Sequence, residues 1–322
     1  MHLPSFCLPK RFFTEQRPGA GAAERSAQVK GGGRRPGDTE QNVLSPRLRF
    51  VQRRIVPWVM ACVLACAGVA TAQAREGVEV GGNSAFTKLV SADTVERSAT
   101  QQYAQMLQQA AAKNALAPKD NAQVKRLRAI AAHIIPFAKD WNSRATQWHW
   151  EVNLLGSKQI NAFCMPGGKI AFYSGILQTL KLTDDEVAMV MGHEIAHALR
   201  EHARERMGKN AATGIGANLL SQVFGFGQIG QTVTNYGAQL LTLEFSREDE
   251  SEADLVGMEL AARAGYDPRA GVTLWQKMGA AGGSGPPQWL STHPSGSSRI
   301  AEIEANLPKV MPLYERARRK AP

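Results

Sequence analysis

Cysteine is scarce in this chain. Four occur in 322 residues, and Cys7, Cys62 and Cys66 all precede position 75, which leaves Cys164 alone in the remainder. A single thiol closes no internal disulfide, so the fold beyond residue 74 does not depend on oxidation. A membrane-length apolar run is missing as well: Ile55 to Ala70 is apolar but shorter than the ~18–20 residues a spanning helix needs. Nor is there a basic surplus where a nucleic-acid surface would require one. The net charge is +10, but residues 1–74 hold eleven Lys/Arg against four Asp/Glu, so the remainder keeps only 27 basic and 24 acidic groups. Nucleic-acid binding calls for a basic face on the folded domain itself, and that reading falls. A literal G-x-G-x-x-G stands at Gly225 to Gly230, but no strand precedes it and no βαβ unit surrounds it, so it is no dinucleotide site. Long-period repeats are absent too.

What is present begins with a two-part leader. Residues 1–54 are rich in Gly, Pro, Arg and Ser without an apolar period, the composition of a disordered segment. Its length is that of an over-extended start. Arg53 and Arg54 then flank the apolar run, and Ala72-Gln73-Ala74 forms a small-x-small cleavage site. Residues 55–74 therefore read as a secretory signal peptide. This places residues 75–322 in the periplasm as one domain. Acylation of Cys66, which would make a lipoprotein, is the second reading.

Beyond the leader, "TVERSATQQYAQMLQQAAA" predicts a helix over 94–112, and Pro118 ends it. A second helix is predicted from about Asn121, with Val124, Leu127, Ile130, Ala131, Ile134 and Ile135 at helical spacing. The period then switches to two: Trp148, Trp150, Val152 and Leu154 alternate with His149, Glu151 and Asn153, which makes His149 a solvent-facing strand residue. "INAFCMPGGKIAFYSG" reads as a β-hairpin around a type II turn at Pro166-Gly167. A single long helix is predicted over "LTDDEVAMVMGHEIAHALREHARERM", capped by Thr183 with Glu186 three residues on. Residues 210–243 carry no charged side chain. Their many amides and hydroxyls favour a cover over a site rather than a membrane hairpin. Helices return with "REDESEADLVGMELAARAG", at about 270–278, and with "SRIAEIEANL". The fold class is α+β, predominantly helical, with a small antiparallel sheet.

The chemistry lies in "VMGHEIAHAL". His193 and His197 are four apart, so a helix sets both on one face, where their ring nitrogens reach one zinc ion at about 2.0–2.1 Å. Glu194 leaves the helix roughly a quarter-turn round, beside an attacking water. A catalytic zinc needs a third protein ligand. A third histidine ten residues after the first, with a glycine before it, is ruled out by Arg200 and Ala203. His202 is one residue off and reads as a surface residue or an outer support. "SREDESEADLVG" offers Glu248, Glu250 and Glu252 instead, and only Glu250 has an aspartate, Asp254, four residues on. That spacing lets Glu250 bind metal while Asp254 accepts the second N–H of a ligand histidine. The bland alternative is a solvated acidic helix face.

The combination of "INAFCMPGGKIAFYSGIL", "TDDEVAMVMGHEIAHALREH", "FSREDESEADLVG", "AGYDP" and "STHPSGSSRI", spread over about residues 90–308, resembles metallopeptidase family forty-eight. That group includes the CAAX prenyl protease, the heat-shock membrane protease and the periplasmic proteases of β-barrel assembly. The resemblance implies a gluzincin-type zinc endopeptidase with His193, His197 and Glu250 as ligands, Glu194 as base and one zinc per chain. It implies that the strand through Asn161, Ala162 and Phe163 is a sheet edge lining the cleft and pairing with an extended substrate. It implies for His293 either a fourth ligand position in a resting state or a contact to the oxyanion, and leaves Cys164 to packing. The implied partners are unfolded or misassembled proteins, with peripheral contact to membrane or outer-membrane assembly machinery. No spans of the prenyl or heat-shock kind are evident, so the chain resembles an exported single-domain member. A zinc-stabilised holdase and an inner-membrane protease inserted through residues 210–243 are the alternatives.

Overall fold

The computed structural model describes residues 75–213, 244–281, 288–293 and 297–320. The leader, the signal peptide and residues 214–243 of the charge-free stretch, with the readings placed on them, lie outside the described residues. Among those described, no helix is long and apolar enough to cross a membrane.

Helices α1 (Ala92–Ala112) and α2 (Ala122–Ile134) begin at Ser91 and Asn121, whose side chains accept from the first free backbone N–H groups. Val124, Leu127, Ile130, Ala131 and Ile134 form the buried stripe of α2. The sheet holds β1 (Glu151–Leu155), β2 (Ala162–Met165) and β3 (Lys169–Tyr173). The hairpin forms: β2 and β3 pair antiparallel, Gly168 N–H bonds Met165 C=O at 3.2 Å, and Gly167 takes φ +84°. A type II turn needs that positive φ at its third residue.

The sheet is nevertheless mixed rather than antiparallel. β1 pairs with β3 in parallel, and the order is β1-β3-β2. The chain leaves β1, crosses the end of β3 and returns along its far side, so the tight hairpin fixes β2 against β3 while β1 takes the remaining edge. Ser157 C=O accepts from Gly175 N–H at 2.8 Å at that crossing, where a Cβ on Gly175 would meet Lys158 O and Gln159 O at 2.4 Å. Among the described residues β2 is left as an edge strand with one side unpaired.

Helix α3 (Ser174–Leu180) leads to α4 (Asp184–Leu199), α5 (His202–Ala212), α6 (Arg247–Arg263), α7 (Ala270–Ala280), the one-turn α8 (Gln288–Thr292) and α9 (Ser297–Lys320). The capping box at α4 forms, with Thr183 N–H on Glu186 Oε2 at 2.8 Å and Glu186 N–H on Thr183 Oγ1 at 3.3 Å. Ser246 and Asp249 build a second one at α6. The single long helix of the sequence reading divides here: α4 ends at Leu199, Glu201 adopts φ +59°, and α5 starts at His202.

Helices α4 and α6 pack against each other, and α9 packs on α6. The α4–α6 contact is as close as two backbones allow. A Cβ on Gly192 would stand 2.5 Å from Gly257 O, and one on Gly257 would stand 2.5 Å from His193 N. These two glycines let the faces carrying residues 193 and 250 approach each other.

Candidate metal centre

His193, Glu194 and His197 are buried on α4 and Glu250 is buried on the first turn of α6. Glu248 is exposed. Glu250 Oε2 lies 3.6 Å from His193 Nε2, and its Oε1 lies 3.4 Å from His197 Nε2. The two Nε2 atoms are 3.0 Å apart. His293, at the end of α8, brings Nδ1 to 3.3 Å from His193 Nε2 and 2.9 Å from Glu250 Oε1. The four residues offer ligand atoms that all lie within 4.8 Å of one another. Zinc bonds of 2.0–2.1 Å in a tetrahedron set neighbouring ligand atoms about 3.3–3.4 Å apart, so three imidazoles and a carboxylate at these separations fit a zinc ion in chemistry and in size.

The surroundings hold these groups in orientation. Asp254 Oδ1 accepts from His193 Nδ1 at 3.0 Å, which leaves Nε2 of that ring facing the centre. Arg299, unnoticed in the sequence, grips both acids of α6: Nε reaches Asp254 Oδ2 at 2.6 Å and Nη1 reaches Glu250 Oε2 at 2.5 Å. Its guanidinium lies 3.8 Å over the Trp275 ring. Burial works to raise the carboxyl pKa of Asp254, but Arg299 outweighs it and holds the acid below the usual range. Burial also opposes charge on Glu250, and hydrogen bonds from His197 and His293 more than offset it, so this carboxyl too stays ionised. Burial pushes the His197 imidazole well below its ordinary value, which keeps it neutral, the form that binds metal. For His293 burial is outweighed by Glu194 and Glu250, and its pKa is drawn up.

Trp289 is a second residue the sequence reading passed over. Its indole Nε1 donates to Glu194 Oε1 at 2.6 Å, and His293 Nε2 stands 3.5 Å from the same oxygen. Positions 289 and 293 are one helical turn apart, and that spacing was the available signal. His202 is no surface residue: it is buried against His197. His149 is exposed and away from the centre.

A cleft of about 220 Å³ opens beside the four residues, lined on one side by Asn161, Ala162 and Phe163 of the edge strand and on the other by Glu194, His197 and His293. Cys164 also lines it, and burial pushes its thiol pKa well above the usual value, so it remains a neutral packing group.

Comparison with known proteins gives these residues a context. The family model for peptidase family M48 matches residues 118–307, more than half of the chain. Mitochondrial metalloendopeptidase OMA1 of Schizosaccharomyces pombe is 31% identical over 255 residues, covering 78% of this chain and 72% of that protein. The protein of the same name from Arabidopsis thaliana is 41% identical over 166 residues, half of this chain and 33% of its own length. The β-barrel assembly-enhancing protease of Escherichia coli O157:H7 is 31% identical over 182 residues, 53% of this chain and 37% of that protein. The chain thus spans a third of the Arabidopsis relative. These matches overturn the assignment to the periplasm, because relatives from plant, yeasts and animals bear mitochondrial names. The segment read as a signal peptide lies outside the described residues. Family model, fission-yeast relative and zinc-sized donor set lead to one conclusion: this chain belongs to peptidase family M48, whose members use zinc.

Proposed function

We propose that the chain is a zinc-dependent endopeptidase acting on extended segments of unfolded or misassembled proteins. The observation that carries the reading is the convergence of His193, His197 and Glu250 at zinc-ligand separations with the Glu194 carboxylate beside them. In this reading those three residues hold the ion. Zinc bound there supplies Lewis acidity toward a carbonyl oxygen and lowers the pKa of water to about 7. Glu194 takes the proton of the attacking water and passes it to the leaving amine. Trp289 N–H and the helix hold that carboxylate in place.

The substrate lies along the open side of β2, adding a strand through the backbone of Asn161, Ala162 and Phe163. Pairing of this kind reads main chain more than side chains and suits clients defined by being unfolded. The name of the Escherichia coli relative supports β-barrel proteins in assembly as one client class and the machinery of that assembly as a partner class.

His293 would be a fourth ligand in that donor set, and it would then fill the space that the attacking water needs. Withdrawal of α8 is then a condition of turnover. The purified full chain should hold one zinc and cleave casein, in wild type or in His293→Ala; chelator should stop cleavage and zinc restore it. A zinc-loaded chain inert in both forms overturns the proposal. His293→Ala should raise turnover several-fold at saturating zinc and weaken zinc binding. Unchanged activity together with unchanged affinity would dismiss both roles of this histidine.

A further inference from the structure

We infer that His202 and Glu252 are positioning residues that set His197 as a metal ligand through its Nε2 atom, by a one-directional chain of hydrogen bonds. The inference rests on His197 being a zinc ligand and deepens that reading. His197 Nδ1 and His202 Nδ1 face each other at 2.9 Å, so one must carry the proton and the other the lone pair. The far end of the chain decides which. His202 Nε2 lies 3.2 Å from Glu252 Oε2, and an ionised carboxylate only accepts. His202 therefore carries a proton on Nε2, and as a neutral ring, the form required if His197 is to bind metal through Nε2, it presents a lone pair at Nδ1. His197 must then donate from Nδ1, and its own lone pair is left on Nε2, the atom that faces His193 and Glu250 at 3.0 and 3.4 Å. The Glu252 carboxylate and a neutral His202 ring together assign all four ring nitrogens.

The end of the chain is itself held. Arg200 clasps Glu252, Nε to Oε2 at 2.9 Å and Nη2 to Oε1 at 3.3 Å, and its Nη2 also donates to Gly81 C=O. This mirrors the support of the other histidine, where Arg299 clasps Asp254 and Asp254 accepts directly from His193. The two ligands differ in that His197 reaches its carboxylate through an intervening imidazole. The device depends on the break between α4 and α5. The left-handed backbone of Glu201 (φ +59°) lets His202 fold back beneath His197, whereas an unbroken helix would carry a residue five positions on well round to another side. The His202 side chain is 2% exposed, while Glu252 remains 27% exposed, so the carboxylate keeps contact with solvent at the outer end.

The test measures zinc affinity on the full chain by competition with a chromophoric chelator, and melting of the zinc-free forms in the same buffer. His202→Phe keeps a ring in the space but no nitrogen, and should weaken zinc binding by ~10–100-fold, as loss of an outer partner of a ligand histidine does. His202→Gln can both accept and donate, and should recover most of that loss. A merely space-filling role predicts the opposite order. Long-range ¹H–¹⁵N spectra of the zinc-loaded wild type should show His202 protonated on Nε2 alone, a readout that needs no variant to fold. Wild-type affinity in folded His202→Phe, or a proton on His202 Nδ1 in the spectrum, overturns the inference. A wild-type chain that takes up no zinc would instead remove the ligand reading on which it stands.

Discussion

Glu194→Gln is expected to lower casein cleavage by ~10²–10⁴-fold, the range that a general acid–base group contributes, with zinc retained at the wild-type stoichiometry. The substitution is close to isosteric, and the amide oxygen can still accept from Trp289 Nε1, which donates to Glu194 at 2.6 Å in the native chain. His193, His197 and Glu250 keep their separations because none depends on the Glu194 carboxylate. What is lost is the capacity to take a proton from water. Assay of His293→Ala with and without Glu194→Gln separates this loss from closure by α8. Cleavage by the Gln variant within a few-fold of its parent would remove the role of Glu194, and retained zinc would at the same time leave the metal centre standing.

Glu250→Gln should strike the other half of the site. Zinc affinity is expected to fall by more than the ~10–100-fold that follows loss of an outer partner, because here a charged ligand itself is replaced by a weak neutral donor. Cleavage should vanish at low zinc. Folding should suffer too, since Arg299 is 5% exposed and its Nη1 bonds Glu250 Oε2 at 2.5 Å. Removing one member of a buried charge pair costs about 3–5 kcal/mol. Asp254, with two bonds to the same guanidinium at 2.6 and 2.7 Å, moderates that cost. Chelator competition together with thermal melting of the zinc-free chain resolves the two effects. Equal zinc affinity in Glu250→Gln and wild type would refute the three-ligand centre.

These expectations draw unequally on the sequence. The four-residue spacings from His193 to His197 and from Glu250 to Asp254 are local, and helical geometry alone puts each pair on one face. The cap at Thr183, the helix start near Asn121 and the Pro166-Gly167 turn are legible for the same reason: each acts over three or four residues. The division of the helix after Leu199 was not legible, because nothing in "LREHARE" breaks a helix on composition, and Glu201 takes a left-handed backbone unaided by glycine. With that break not visible, the sequence leaves His202 between the surface and an outer support, and the turn at Glu201 decides for the support. The parallel pairing of β1 escaped as well, since alternation marks a strand but not its neighbour.

Local order in the chain was therefore enough to mark a helix with two histidines on one face, an acidic helix with Glu250 and Asp254 on one face, and a hairpin, while the zinc-peptidase class and the edge strand came from the resemblance of several motifs taken together. The tertiary structure alone decided that Gly192 and Gly257 bring the two helices into backbone contact, and that Arg299, Trp289, His202 and Glu252 surround the centre. Those partners lie roughly 50 to 95 residues from the groups they serve, apart from His202, five residues away across a turn. Such pairings carry no sequence period. The packing of α4, α6, α8 and α9, with the turn into α5 for His202, brings them within hydrogen-bond reach.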